Sequence, residues 1–309
     1  MTGIILLLGV IILVAGRAEE RQFLDLLYGA SPLWILAGAA LQLLTYFCAA
    51  KGWRLILARL GYALPLGSMI LLAVAKLFTD QAVPSGGLSG NVLLARALHR
   101  RLVPREAAMT TILLTFVAYY WAYAIGVAGA MLVIWLQGKL DKLLLTMTAG
   151  FGLVALAIPL AIFWFRRHPR LLPAEWLRKF PLTHDFEAAL ERMPRTPGGP
   201  ALIAQMIGWQ ELVFLIHAAT LFMMLRAVGH PLGFAPALAS YMIASVTRTM
   251  LVVPGGLGTF EGASIAMLHL FEVPFAPALA ATLLLRGFTF WLPMLPGMWL
   301  ARREMAKGG

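Results

Sequence analysis

The sequence predicts an all-α polytopic membrane protein with about six full spans and two oppositely oriented re-entrant helical hairpins, arranged as an inverted repeat. Hydrophobic residues make up 61% of the chain and charged residues only 13%. Apolar runs of about 20 residues recur, which is the length needed to cross a bilayer core of about 30 Å. Two longer apolar regions are interrupted in the middle by Pro- and Gly-rich stretches. Since unpaired backbone groups are costly in lipid, a helical bundle is expected.

We expect the full spans in six segments: Thr2–Gly16, Ser31–Ala50, Ala107–Gln137, Leu143–Phe165, Pro200–Leu225 and Pro274–Leu300. The first is short, but no basic segment precedes it as in a signal peptide. The interrupted regions are Leu64–Leu98, broken at "AVPSGGLSGN", and Leu232–Phe271, broken at "VVPGGLGTFE". Each is long enough for a hairpin with arms too short, or barely long enough, to span. The alternative is two ordinary spans with proline kinks.

The basic residues predict the sidedness, because Lys and Arg accumulate in cytoplasmic loops. One side receives the segments Lys51–Arg59, Arg96–Arg105 and Arg166–Gly199 and the C-terminal tail, with 17 basic residues, and the other side keeps five. Both ends of the first broken region are then cytoplasmic, and both ends of the second are external. We therefore expect a multi-pass protein of the bacterial inner (plasma) membrane with cytoplasmic N- and C-termini.

The two halves of the chain share a spacing. Val83-Pro84 and Val253-Pro254 are 170 positions apart, and so are Val103-Pro104 and Val273-Pro274. We interpret residues 1–309 as one transmembrane domain with inverted repeats at about 1–138 and 143–303, joined by a short external turn. A cytoplasmic loop, 166–199, lies inside the second repeat. Inverted repeats are typical of transporters, whose binding site lies near the membrane midplane where broken helices meet.

The residues at the breaks form the predicted substrate site. Glycine allows close backbone approach, and the start of a helix favours anions. Ionisable groups inside a membrane are costly and are therefore functional candidates, although they could also simply pair with one another. Lys76, Arg248 and Arg286 suit a lipid phosphate, and Glu261 suits an arginine or a cationic headgroup. The full predicted set is Lys76, Asp80, Pro84, Gly86, Gly87, Asn91, Arg96, Arg248, Pro254, Gly255, Gly256, Gly258, Glu261 and Arg286.

Other functional classes find little support in the sequence. The six histidines show no metal-ligand spacing and Cys48 is the only cysteine, so we predict no metal and no cofactor. No motif for nucleophilic or metal-dependent catalysis is present, which favours a protein that is not an enzyme. The net charge of +11 fits contact with anionic headgroups better than nucleic-acid binding.

The motifs "VVPGGLGTFEG" and "LLLRGFTFWLPMLPG" resemble those of the flippase-like transmembrane domain of lysylphosphatidylglycerol synthases, which also occurs as stand-alone inner-membrane proteins. The chain departs from the family after the first glycine pair, where Leu88, Ser89 and Gly90 stand instead of an acidic residue and an arginine. We expect no aminoacyl-transfer domain in this protein.

The resemblance implies a lipid flippase or transporter that moves a polar-headgroup lipid: a phospholipid, aminoacyl-phospholipid, glycolipid or hopanoid. Its partners would be membrane lipids with an anionic or aminoacylated headgroup, with no nucleic acid, and a lipid-biosynthesis protein or a second copy of the chain is possible. Two alternatives stay open. One is a non-transporting assembly or regulatory subunit of a lipid pathway, and the other is a membrane enzyme acting on lipid headgroups.

Overall fold

A computed structural model describes residues 17–83, 88–167, 199–251 and 253–306, and within these ranges the secondary structure is helical, with no strand. The predicted span Thr2–Gly16, most of the predicted loop 166–199, and Pro84, Gly86 and Gly87 lie outside the described residues. The helices are α1 Arg17–Tyr28, α2 Pro32–Arg59, α3 Leu66–Ala82, α4 Leu88–His99, α5 Arg105–Leu136, α6 Lys142–Arg167, α7 Gly199–Ala227, α8 Phe234–Met250, α9 Thr259–Leu270, α10 Phe275–Arg286 and α11 Leu292–Ala306.

Five segments of the described chain are long and apolar enough to cross a membrane: Pro32–Arg59, Arg105–Leu136, Lys142–Ile162, Gly199–Ala227 and Phe275–Ala306. They coincide with five of the six predicted spans. The last one combines α10 and α11 through a turn of π-helix at Gly287–Trp291, which the sequence analysis did not predict.

One predicted boundary is wrong. Helix α2 continues past Ala50 to Arg59, so the basic segment Lys51–Arg59 is helical and not a loop. The reason is that the apolar residues of this segment are buried: Trp53 is 4% exposed, and Ile56 and Leu57 are fully buried. This packing carries the helix beyond the hydrophobic run that the prediction used.

Both broken regions form pairs of helices with matching lengths. Helices α3 and α8 have 17 residues each, and α4 and α9 have 12 each. At about 1.5 Å per residue these arms are about 25 and 18 Å long, shorter than a bilayer core of about 30 Å. The two arms of each pair pack against each other. We call α3–α4 the first hairpin and α8–α9 the second hairpin.

The local backbone repeats with the spacing seen in the sequence. Among the described residues, Leu102 (φ 62°) and Glu272 (φ 68°) are the non-glycine residues with positive φ, and they are 170 positions apart. Both residues follow a hairpin and lie in the same kind of C-terminal helix cap. In each cap the next residue donates its N–H to a carbonyl in the last turn of the helix. Val103 donates to the Leu98 carbonyl (3.2 Å), and Val273 donates to the Leu268 carbonyl (3.0 Å). This agreement supports an internal repeat, and its inverted orientation stays a prediction.

The tip of each hairpin lies beside the middle of a long helix. Gln81, near the end of α3, donates its Nε2 to the carbonyl of Thr289 (3.0 Å), which is halfway along Phe275–Ala306. In the second hairpin, Ser245 of α8 accepts a hydrogen bond from the hydroxyl of Tyr123 (2.6 Å), which is near the midpoint of α5. The tips therefore reach only to the middle of these helices.

Two ion pairs lie at the open ends of the hairpins, near opposite ends of α5. Before α5 begins, Arg101 makes a two-pronged contact with Glu304 of α11, with nitrogen–oxygen distances of 3.2 and 2.8 Å. Just after α5 ends, Lys139 contacts Glu272, with 2.7 Å between Nζ and Oε1. The charge distribution predicts the same grouping of these segments by side, and which side is cytoplasmic stays a prediction.

Candidate functional site

A cavity of about 440 Å³ lies between the two hairpin tips. The turn Pro254–Gly256 of the second hairpin packs against α3 of the first, and side chains from α2, α5 and α7 complete the wall. The polar and charged residues of this central cavity are Gln42, Thr45, Lys76, Asp80, Gln81, Asn91, Thr115, Gln210, His217, Arg248, Thr249, Arg286 and Thr289. The sequence therefore brings polar groups of both breaks to one place in an apolar bundle.

The glycines of the second break are required by its backbone. Gly255, Gly256 and Gly258 have φ of 61°, 65° and 81°, in the left-handed region that residues with a side chain rarely adopt. A Cβ at Gly255 would overlap the ring of Phe290, and a Cβ at Gly256 would overlap the side chain of Arg248. The turn thus allows an aromatic ring and an arginine to pack directly on the backbone.

Behind this turn lies a buried ion pair. Arg286 Nε is 2.7 Å from Glu261 Oε1, and the two side chains are 2% and 5% exposed. Each side chain makes a further hydrogen bond, because Arg286 Nη2 donates to the Gly255 carbonyl (2.7 Å) and Glu261 Oε2 accepts from the Gly258 N–H (2.7 Å). A buried pair persists only when its other hydrogen bonds are made, as they are here. The pair therefore fixes the turn between α8 and α9 against α10.

Arg248 differs from Arg286. It lines the cavity, yet within the described parts of the chain it has no ion pair and no hydrogen bond. Its methylene groups lie against Gly256, and the tyrosines Tyr119 and Tyr241 line the same cavity. Because a charge without a partner is costly away from water, Arg248 is the group here that most needs an anionic ligand.

The first break also combines a carboxylate with a cation, in a more open position. Lys76 Nζ is 2.6 Å from Asp80 Oδ2, and the side chains are 18% and 22% exposed. Asp80 Oδ1 accepts the backbone N–H of Gly90 (2.9 Å) at the start of α4. The carboxylate fits there because Gly90 has no Cβ, which would overlap it. Asp80 thus joins the two arms of the first hairpin while its ion pair lines the cavity.

The structure shows cavity residues that the sequence analysis did not select. In the described residues, Gln81 Oε1 and His217 Nδ1 are buried without a hydrogen-bond partner, and both residues line the cavity. Tyr119 and Tyr120, which the sequence analysis did not select either, also line it. The sequence does contain a signal for Gln81 and His217, because a glutamine or a histidine inside an apolar helix needs a hydrogen-bond partner.

Most of the predicted site residues that the structure describes lie together. Lys76, Asp80, Asn91, Arg248, Gly255, Gly256 and Arg286 line the central cavity, while Glu261 and Gly258 lie directly behind Arg286. Pro254 begins the turn of the second break. Arg96 is different: it is exposed and lines a separate crevice of about 80 Å³ with Arg100 and Glu304. Arg96 lies in the last turn of α4, away from the hairpin tip, and the structure does not bring it to the central cavity.

Comparison with known proteins identifies the family of this chain. A family profile described as the lysylphosphatidylglycerol synthase TM region matches residues 1–297. The chain belongs to this family. It is also 22% identical over 306 residues to a UPF0104 membrane protein of Methanocaldococcus jannaschii, covering 93% of this chain and 90% of the relative. The lysylphosphatidylglycerol synthase TM region is a flippase-like domain family, and this match confirms the resemblance carried by the Pro-Gly-Gly-x-Gly-x-x-Glu motif at the second break. No group of three or more potential metal-ligating side chains occurs in the described residues.

Proposed function

We propose that the protein is a lipid flippase or transporter of the bacterial inner membrane, which moves a polar-headgroup lipid from one leaflet to the other. The headgroup enters the central cavity while the acyl chains stay in the bilayer. The observation that carries this proposal is the meeting of two broken helical hairpins at a polar cavity that contains Arg248, an arginine with no ion pair or hydrogen bond to any residue that the structure describes. Transport sites near the midplane are built from such discontinuous helices.

The depth of the hairpins supports the re-entrant interpretation. Their arms are shorter than the thickness of the bilayer core, and residues near their tips contact the middle of long helices at Thr289 and Tyr123. Non-helical backbone at that depth is tolerated only where protein buries it or where it lines a polar cavity. The turn Pro254–Gly256 meets this condition, because Gly255 and Gly256 line the central cavity.

Two hairpins that enter from opposite sides provide two gates. In this scheme, the first hairpin closes the cavity on one side of the membrane and the second hairpin on the other. Their contact at the cavity, between α3 and the turn Pro254–Gly256, couples the two gates. The cycle runs down the lipid gradient or is coupled to an ion gradient or a partner.

A second candidate function is a non-transporting subunit of a lipid pathway. The ion pair between Glu261 and Arg286 favours it, because these two predicted ligand-binding residues are already satisfied by each other and by the turn. In that case the cavity would be a structural feature, and replacing Arg248 would not affect the movement of any lipid.

Reconstitution into liposomes separates the two candidates. Headgroup-labelled lipids are placed in one leaflet, and their arrival in the other is followed with a quencher that does not cross the membrane. Wild type is compared with Arg248→Gln and with the matched control Arg302→Gln, since Arg302 is an exposed arginine in the last turns of α11. We expect wild type and Arg302→Gln to flip at equal rates and Arg248→Gln to flip at least tenfold more slowly. If no lipid moves in any sample, with or without an imposed proton gradient, the transport proposal fails.

A further inference from the structure

We infer that the headgroup accepted by the central cavity carries one net negative charge: a phosphodiester with hydroxyl groups and without an ammonium group. This inference rests on the proposed transport of a lipid and specifies its cargo. It concerns the charge of the lipid, which neither the fold nor the family description decides.

The net charge of the cavity wall is the first step. The charged side chains that line it are Lys76, Asp80, Arg248 and Arg286. Lys76 and Asp80 neutralise each other, and Arg286 is neutralised by Glu261 behind it. Arg248 therefore leaves the described wall with one positive charge in excess. The residues of the breaks that the structure does not describe, 84–87 and 252, have no ionisable side chain and add no charge.

The second step is the cost of charge in this environment. Electrostatic interactions are stronger in an apolar bundle than in water, and an uncompensated charge is correspondingly costly. A headgroup with one negative charge neutralises Arg248 and makes the occupied cavity neutral. A zwitterionic headgroup leaves the excess charge in place, and a headgroup with a net positive charge adds to it. The order of acceptance is therefore anionic, then zwitterionic, then cationic.

The third step concerns the rest of the headgroup. Gln81 Oε1 is buried at the cavity and has no hydrogen-bond partner among the residues that the structure describes, and a carbonyl oxygen can only accept. The hydroxyl of Thr115 and the amide of Gln210 lie in the same wall. These groups suit the hydroxyls of a glycerol or sugar headgroup. An ammonium group could also donate to Gln81, but it would add positive charge beside Arg248.

The position of Arg248 explains how an anion is held between the two hairpins. Gly256 lets the arginine side chain pack on the turn of the second hairpin, and Gln81 stands at the tip of the first. A phosphodiester bound by Arg248, with its hydroxyl groups on Gln81, would contact both gates. An arginine can make two parallel hydrogen bonds to a phosphate, which a neutral side chain cannot do.

The consequence differs from what the family description suggests. A lysyl ester of phosphatidylglycerol carries one phosphate and two ammonium groups, so its net charge is +1. The same lipid without lysine has a charge of −1 and keeps its hydroxyls. The charge of this cavity wall predicts that the unmodified type of lipid is the better cargo.

The test uses liposomes with three labelled lipids that have identical acyl chains: phosphatidylglycerol, phosphatidylethanolamine and lysylphosphatidylglycerol. We expect the wild-type initial rates to fall in that order, with at least a tenfold difference between the first and the last. Arg248→Gln should reduce this difference to less than threefold, and Arg248→Lys should preserve the order. Arg248→Glu, which makes the wall negative, should move the lysyl lipid faster than phosphatidylglycerol. Folding of each variant is checked by its thermal transition in detergent.

The outcomes distinguish this inference from the proposed function. If the wild-type protein moves the lysyl lipid as fast as phosphatidylglycerol or faster, the charge inference is wrong and lipid transport stands. If it moves none of the three lipids, the transport proposal fails and the inference fails with it. Soluble glycerol phosphate and inorganic phosphate are added as competitors. Inhibition by either at concentrations near that of the lipid would show that the site binds a free phosphate, and would overturn the assignment to a lipid headgroup.

Discussion

The two hairpin breaks use the same chemical parts in different positions. At the first break, Asp80 accepts a backbone N–H at the start of α4 and pairs with Lys76, one turn earlier on its own helix. At the second break, Glu261 accepts the N–H of Gly258 at the start of α9 and pairs with Arg286 of another helix. Each break thus has a carboxylate that caps a helix and a cation that neutralises it.

The difference lies in burial. The Lys76–Asp80 side chains are 18% and 22% exposed and line the cavity, whereas those of Arg286 and Glu261 are 2% and 5% exposed. A buried pair between two helices fixes their relative position, while a partly exposed pair within one helix can respond to a ligand at little cost. The second break is therefore rigid behind its turn. Arg248 lines the cavity at the same break and makes no ion pair within the described parts of the chain.

The largest expected effect comes from breaking the buried pair. Arg286→Gln leaves Glu261 as a buried charge without a partner, which costs about 3–5 kcal/mol in the free energy of unfolding. Lys76→Gln removes the corresponding cation at the first break, where partial exposure limits the loss to about 1 kcal/mol or less. Both are measured by unfolding in the same detergent.

The control for this prediction is the double variant Glu261→Gln/Arg286→Gln. It leaves no buried charge without a partner, so we expect it to be more stable than Arg286→Gln alone. Equal losses of stability in Arg286→Gln and Lys76→Gln would show that the two breaks do not differ in rigidity.

The second prediction compares glycines of the two breaks. Gly255→Ala forces a Cβ into the left-handed region and against the Phe290 ring, so we expect a loss of about 1–3 kcal/mol. The Cβ of Gly90→Ala meets the Asp80 carboxylate, which is the mobile end of a side chain. That variant should be less destabilised, because Asp80 can rotate away from the start of α4. The midpoint of thermal unfolding of each variant provides the measurement.

The third prediction concerns charge at the first break. Asp80→Asn removes the partner of Lys76 and raises the excess charge of the cavity wall from one to two. We expect a loss of about 1 kcal/mol or less in stability, with a larger relative preference for phosphatidylglycerol over phosphatidylethanolamine in the flipping assay. An unchanged ratio of the two rates would show that the Lys76–Asp80 pair does not contribute to selection.

The breaks, and the charged residues that line the central cavity beside them, could be selected from the sequence because their signals are local. Glycine and proline runs, and charges inside apolar segments, mark Lys76, Arg248 and Glu261 without any knowledge of packing. The ion pair between Glu261 and Arg286 could not be predicted from local signals, because these two residues meet only after α9 and α10 pack. The extension of α2 and the cavity positions of Gln81 and His217 also depend on neighbours distant in sequence. The position of Arg96 outside the central cavity could not be predicted for the same reason: its charge is local, but its distance from the tip depends on the length of α4.

The smallest expected effect tests the open ends of the hairpins. Glu272, in the turn after α9, has its pKa lowered below its ordinary value of 4.5 by the hydrogen bond from Lys139 and by the charge of that lysine. A lowered folded-state pKa stabilises the protein above about pH 4.5, and this contribution disappears as the pH falls through the folded-state value. Glu272→Gln should therefore unfold at a slightly lower temperature than wild type at pH 7, and this difference should shrink as the pH is lowered below 4.5. Arg101→Gln at the other end should cost more at pH 7, because Glu304 is only 16% exposed whereas Glu272 is 86% exposed. If Glu272→Gln lowers the unfolding temperature at pH 7 more than Arg101→Gln does, then the more buried ion pair at the open ends is not the more stabilising one. Burial would then fail to predict the order of stability at the open ends, although we expect it to do so at the tips.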